Sequence, residues 1–114
     1  MEEFVKNVLR DKYEEGDKIF VSGIVIHVQG DVSKTTGKMR IALILGPEAN
    51  GYTVTFVSEG VAAESALEPG YASYMSMAKV EKGNKVVAQG DYDHSTQYDS
   101  DNTKTFVLRN ASVQ

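Results

Sequence analysis

Two stretches of this chain repeat one pattern, Gly16-Asp17-Lys18-Ile19-Phe20-Val21-Ser22-Gly23 and Gly83-Asn84-Lys85-Val86-Val87-Ala88-Gln89-Gly90. Each reads glycine, acid or amide, lysine, aliphatic, two further residues, a polar residue and glycine. The first glycine releases a β-prone run and the second falls inside it. A glycine inside a strand marks a bulge or a bend, where no side chain may block the approach of another backbone. Two strands bent in this way predict a sheet that curls until it closes on itself.

The rest of the chain supplies the other walls. Phe4, Val8, Leu9 and Tyr13 recur at helical spacing against Glu2, Glu3, Lys6, Arg10 and Asp11, which predicts a short amphipathic helix over 2–13 that plugs the barrel. A first strand is expected over 18–28, apolar on both faces near its middle, as for a strand shared between two layers. Gln29–Lys38 reads as a loop, Met39–Leu45 as the second strand and Tyr52–Ser58 as the third, with Asn50-Gly51 as the turn between them. Helix formers and the spacing of Tyr71, Tyr74, Met75 and Ala78 place a helix between residues 59 and 82. Lys85–Tyr92 and Lys104–Val113 are the fourth and fifth strands, joined by a polar loop over 93–103. Three strands, a helix and two strands, with first and fourth pairing to close the cylinder, is the order of an OB-fold. The fold class expected is thus mainly β, a five-stranded OB barrel in one domain over 1–114, the helix taking 1–15 and the barrel 16–114.

Composition limits what such a barrel does. The chain carries 12 Lys and Arg against 16 Asp and Glu, a net charge of −4. Modules held on nucleic acid mainly by phosphate contacts usually carry a basic field, because counterion release drives that affinity. With no cysteine, thiolate zinc sites and disulfides are excluded. No apolar run reaches bilayer length, so no membrane association is expected. The acidic opening Met1-Glu2-Glu3-Phe4 lacks the order of a signal peptide, which makes cytoplasmic the expected location.

Asn7, Asp11, Tyr13 and Gly16, then Val21-Ser22-Gly23-Ile24-Val25, then Gly83-Asn84-Lys85-Val86 with Gly90, and finally Val107-Leu108-Arg109-Asn110-Ala111-Ser112-Val113 carry a resemblance across nearly the whole chain. Together they resemble the tRNA_anti-like family of small OB-fold proteins. Arg10 stands where that family usually has alanine, and Ala111 where it often has cysteine. The resemblance implies an OB barrel and a presumed nucleic-acid role, with no catalytic residues.

OB barrels bind ligands across their second and third strands and the loops beside them. Alternation points Ile41, Leu43, Leu45, Tyr52, Val54 and Phe56 inward. It leaves Arg40, Ala42, Thr53, Thr55 and Val57 outside. The candidate ligand residues are therefore Lys34, Lys38 and Arg40 as a basic cluster, Thr53 and Thr55 on the face, and Tyr98 as a stacking residue from the last loop, with single-stranded nucleic acid as the ligand. The face itself offers no aromatic platform, and Asp91, Asp93, Asp99 and Asp101 would repel a polyanion. An acidic interaction surface for a basic protein partner is the alternative, carried by Asp93, Asp99, Asp101 and Tyr71. These aspartates lack the spacing of a calcium loop, so neither metal nor cofactor is expected. His27 reads as a satisfied strand residue and His94 as a loop residue. No nucleophile elbow, Walker loop or cysteine nucleophile occurs, so the expected role is non-enzymatic.

Overall fold

In the computed structural model the two repeated segments lie side by side. β1 (Lys18–Val32) runs antiparallel to β4 (Lys85–Asp99), with Lys18 opposite Asp91, Val21 opposite Ala88 and Ile24 opposite Lys85. β2 (Lys38–Ala49), β3 (Tyr52–Ala62) and β5 (Lys104–Val113) complete a closed barrel in the order β1-β2-β3-β5-β4. All neighbours are antiparallel except β3 and β5, which run parallel. The structure describes residues 1–32, 38–62, 71–99 and 104–114.

Both strand glycines sit where the walls are tightest. A methyl group on Gly23 would lie 2.8 Å from the Gly46 carbonyl oxygen, and one on Gly90 would lie 2.8 Å from Leu108 Cβ. Gly90 also falls at a register shift in the β4–β5 ladder. The bulge in β1 is at Ile26, between Val25 and His27, three residues beyond Gly23. Pairing with β4 ends at Ile24, just before it, and pairing with β2 begins at Ile24 and continues past it.

The core follows from alternation. Ile41, Leu43, Leu45, Tyr52, Val54 and Phe56 are all buried, as their spacing predicts, and meet Ile19, Val21, Val25, Ala88, Tyr92, Phe106 and Leu108 inside the cylinder. α1 (Glu2–Leu9) lays Phe4, Val5 and Val8 against this core. It is shorter than the sequence suggests, and Leu9 is 51% exposed, with Val5 taking the core position assigned to it. Phe4 meets Phe106 edge-on at 5.7 Å and tilts against Tyr13 at 5.6 Å. α2 (Tyr71–Ala78) lies between β3 and β4 in sequence, burying Tyr74 and Met77 and leaving Met75 half-buried.

Four strands are longer than expected, β3 among them, which runs to Ala62. β1 and β2 continue to a hairpin in which Val32 pairs with Met39, and β4 runs on to Asp99 opposite Lys104. The polar stretch 93–99 is therefore strand rather than loop, and His94 belongs to it, edge-on to Tyr92 at 4.8 Å. Pairing of Gln97–Asp99 with β5 outweighs the low β-propensity of Asp here. The two-faced apolar middle of β1 also has a different cause from the one expected. β1 is shared between partners, but its outer residues Phe20 (54%), Ile24 (44%) and Ile26 (38%) face solvent, as does His27.

Candidate ligand-binding face

The outer surface of β2, β3 and β5 is a grid whose rows follow from register. Thr53 lies beside Thr105, and Thr55 lies between Ile44 and Val107. Ala42 pairs with Val57, and Arg40 pairs with Glu59. Buried residues alternate with these along every strand, so Arg40, Ala42, Ile44, Thr53, Thr55, Val57, Thr105, Val107 and Arg109 all point away from the core. Arg40 is exposed and the others are half-buried. The hydroxyls of Thr53 and Thr105 lie 3.4 Å apart. The backbone of Val54–Phe56 is paired on both sides, with β2 and with β5, so a ligand over those rows meets side chains.

Of the residues predicted for the site, Arg40, Thr53 and Thr55 share this face. Lys38 opens β2 opposite Ala62, and Tyr98 pairs with Thr105, which puts it in the row of Thr53. The side chains of Lys38 and Tyr98 lie outside what is described, as does all of Lys34. The predicted set is spread along the face rather than gathered. Arg40 is at the level of Glu59, six residues from Thr53 along β3, a separation of about 20 Å at the usual strand rise.

The sequence reading missed two cations. Arg109 lies on the outer side of β5 in the alternation of Thr105 and Val107, and Lys104 is exposed at the start of that strand. Lys104 Nζ sits 5.4 Å from the centre of the Tyr52 ring, which itself stacks on Phe106 at 4.6 Å. The signal for Arg109 was available, since the alternation Phe106, Leu108 (inward) against Val107, Arg109 (outward) is visible once β5 is placed.

Of the acidic residues of the alternative reading, Asp93 has a cation beside it. Asp93 is half-buried and forms an ion pair with Arg109 at 3.5 Å. Asp91 accepts a hydrogen bond from Asn110 Nδ2 at 3.0 Å, and Asp99 stands opposite Lys104 in register. The repulsion of a polyanion expected from these aspartates is therefore offset in part by β5. Asp101 lies outside the described residues, and so do the side chains of Asp99 and Tyr71, the latter opening α2. Among the described residues no three His, Cys, Asp or Glu side chains gather in a metal-binding cluster.

Two other surface features lie away from this grid. A shallow groove of about 440 Å³ is lined by Met1, Glu2, Ser22, Pro47, Glu48, Ala49 and Asn50. At the α1 end, Tyr13 and Tyr92 meet at 5.6 Å, Asn7 Nδ2 donates to Tyr13 Oη at 3.4 Å, and the His94 amide donates to Glu15 Oε2 at 2.9 Å. Burial pushes the Tyr92 phenol above its ordinary pKa, and the Asp11 and Glu15 carboxylates add to the shift. This ring cluster locks the segment before β1 onto β4. Gly16 and Asp17 also exchange backbone hydrogen bonds with Tyr92 there.

No family model matches the chain, and no curated protein matches it either. No helix among the described residues is long and apolar enough to cross a membrane.

Proposed function

We propose that this chain is a non-enzymatic binding barrel that holds single-stranded nucleic acid across the outer face of β2, β3 and β5. The observation that carries the reading is a cationic and hydroxyl-bearing face that runs from Arg40 and Arg109 to the hydroxyls of Thr53, Thr55 and Thr105, with Lys104 exposed at the adjoining start of β5. The cations suit phosphates, and the threonines donate to phosphate or sugar oxygens. Ala42, Ile44, Val57 and Val107 form an aliphatic floor without an aromatic platform. Such a face tracks a backbone and reads little sequence, since stacking on aromatics gives about 1–3 kcal/mol per base in single-strand binders.

The test is an anisotropy titration of a labelled mixed-sequence oligonucleotide at several salt concentrations. Three cationic contacts predict a slope of about −2 for log K against log salt, from roughly 0.7 per neutralised phosphate on single strands. Arg40→Glu and Arg109→Glu should each lower affinity without lowering the melting temperature by more than a degree or two. Absence of binding at low salt, or affinity indifferent to both substitutions, refutes the reading.

One observation favours a second reading, in which the chain is a protein-interaction module. Phe20, Ile24, Ile26 and Val87 (39% exposed) form an apolar strip on the outer side of β1 and β4, where the register sets Ser22 against Val87. Large exposed apolar side chains grouped on one face often mark partner surfaces. The basic partner expected from net charge has less support, because Asp93 is already paired and the cations Lys18 and Lys85 stand at the ends of the strip. Retained partner binding by Arg40→Glu and Arg109→Glu, lost on Phe20→Ser, separates this reading from the first.

A further inference from the structure

We infer that Asp93 acts as a built-in competitor for phosphate at Arg109, an autoinhibitory contact that a bound strand must open. The inference rests on the ligand reading above and names the regulation of one of its cations. Gln89, Asp91 and Asp93 alternate with the buried Ala88, Gly90 and Tyr92, which puts their side chains on the outer side of β4. Arg109 lies on the outer side of the adjoining β5, opposite Asp91 in register. Its Nε is 3.5 Å from Asp93 Oδ2. Asp91 is engaged separately, accepting from Asn110 Nδ2 at 3.0 Å. Two carboxylates thus border the guanidinium on the β4 side, and Asp93 is the one paired with it. Towards β3, Arg109 follows Val107, which pairs with Thr55, so the same cation also borders the hydroxyl-bearing face.

A guanidinium binds carboxylate and phosphate through the same fork of N–H donors. A phosphate that takes both prongs at Arg109 therefore displaces Asp93, and the contact costs one broken ion pair. The pair is open to exchange, since its side chains are 43% and 27% exposed. Pairs this exposed contribute modestly, so the intramolecular carboxylate lowers phosphate affinity at Arg109 by up to about five-fold. Its charge stays beside the site after displacement and adds a smaller, salt-screened repulsion. Asp93 also marks the limit of the face. A strand crossing from β5 onto β4 would meet Asp91 and Asp93, so phosphates reach Arg109 from the β3 side.

The test is an anisotropy titration of a labelled mixed-sequence oligonucleotide at about 0.1 M salt, where charges beyond about 10 Å are screened. Asp93→Asn keeps the side-chain shape and removes the charge, and should tighten binding about three- to eight-fold. In the Arg109→Gln background the same substitution should change affinity less than about two-fold, because no pair is left to break. Glu48→Gln removes the same charge in the groove away from the face, and should also change affinity less than about two-fold. Circular dichroism melts check that every variant is folded. Binding by the parent that Asp93→Asn leaves unchanged or weakens overturns the inference while the ligand face stands. A gain of equal size with Arg109 present or replaced overturns it as well, by reducing Asp93 to general repulsion, and so does an equal gain from Glu48→Gln. Failure of the parent and Asp93→Asn alike to bind at any salt overturns the ligand reading itself, and the inference with it.

Discussion

Adding one methyl group at Gly90 tests the packing on which the barrel depends. The ideal Cβ there falls 2.8 Å from Leu108 Cβ and 3.2 Å from the Arg109 carbonyl oxygen. Neither obstacle is the far end of a flexible side chain, so relief requires β5 to move relative to β4. Leu108 cannot swing away easily, because it is fully buried in the core. Overpacking a well-filled interior costs about 1–3 kcal/mol, and backbone contacts belong at the upper end, near 2.5 kcal/mol. Alanine also loses less backbone entropy than glycine on folding, which returns about 0.5–1 kcal/mol. The expected net destabilisation of Gly90→Ala is about 1.5–2 kcal/mol. For 114 residues the unfolding entropy near the midpoint is about 0.24 kcal/mol/K, so the melting temperature should fall by roughly 6–8 °C. Urea unfolding followed by circular dichroism gives the free energy, with the slope confirming an unchanged exposed surface. Gly16→Ala is the informative control, since its Cβ meets nothing within 4 Å while its φ of +85° strains any side chain. Its cost is about 1–2 kcal/mol of local backbone strain, and it leaves the β4–β5 register alone. If Gly90→Ala unfolds within about 0.5 kcal/mol of the parent, the account of closure by backbone crowding is wrong.

Other expectations follow from the plug and the ring cluster. Phe4→Ala removes a buried ring held against Phe106 and Tyr13, and should cost about 3–5 kcal/mol in urea unfolding if α1 is an integral part of the core. A loss below about 1 kcal/mol would make α1 an appendage. Tyr92 has its phenol raised above 10.0, so the native state favours the neutral form. The stability this contributes is present below pH 10 and is lost as pH rises through the raised folded value, where only the unfolded chain ionises freely. Melting temperatures taken above pH 10 should therefore fall less steeply in Tyr92→Phe than in the parent, and parallel slopes would contradict the assignment.

The parts legible in the sequence are those fixed by local rules. Period-two alternation in 41–45 and 52–56 gave the inward set, and the paired glycine patterns gave the β1–β4 seam, because both are dictated by backbone geometry. Strand ends were not legible. Asp93 to Asp99 has turn composition, yet Gln97, Tyr98 and Asp99 find partners in β5, and that long-range fact leaves no local trace. The same limit hid the dispersal of the candidate site. Arg40 and Thr53 sit on one face by alternation, but their distance of about 20 Å depends on the β2–β3 register. Arg109 was missed for a related reason. Its place beside Val57 follows from the parallel pairing of β3 with β5, which no hairpin signal announces.

Closure itself explains where β1 parts from β4. Every strand of the closed cylinder serves two neighbours, and β1 meets its two at different heights, β4 from Lys18 to Ile24 and β2 from Ile24 to Val32. A straight strand would carry both partners side by side in one sheet. The bulge at Ile26 instead turns β1 between them, so pairing with β4 ends within one residue of that turn. Past it, among the described residues, β1 pairs with β2 alone. The glycine contacts that draw β1 against β2 at Gly23 and β4 against β5 at Gly90 tighten the cylinder below, and they do nothing for the strand above the bulge. The parting of β1 from β4 is thus a geometric consequence of closing the barrel with so few strands. Removing the bulge by deleting Ile26 tests this account. The deletion leaves Val25 opposite Leu45 and His27 opposite Ile44 with no extra residue between them. It should therefore straighten β1 and lower the free energy of urea unfolding, and a variant as stable as the parent would refute the role given to the bulge.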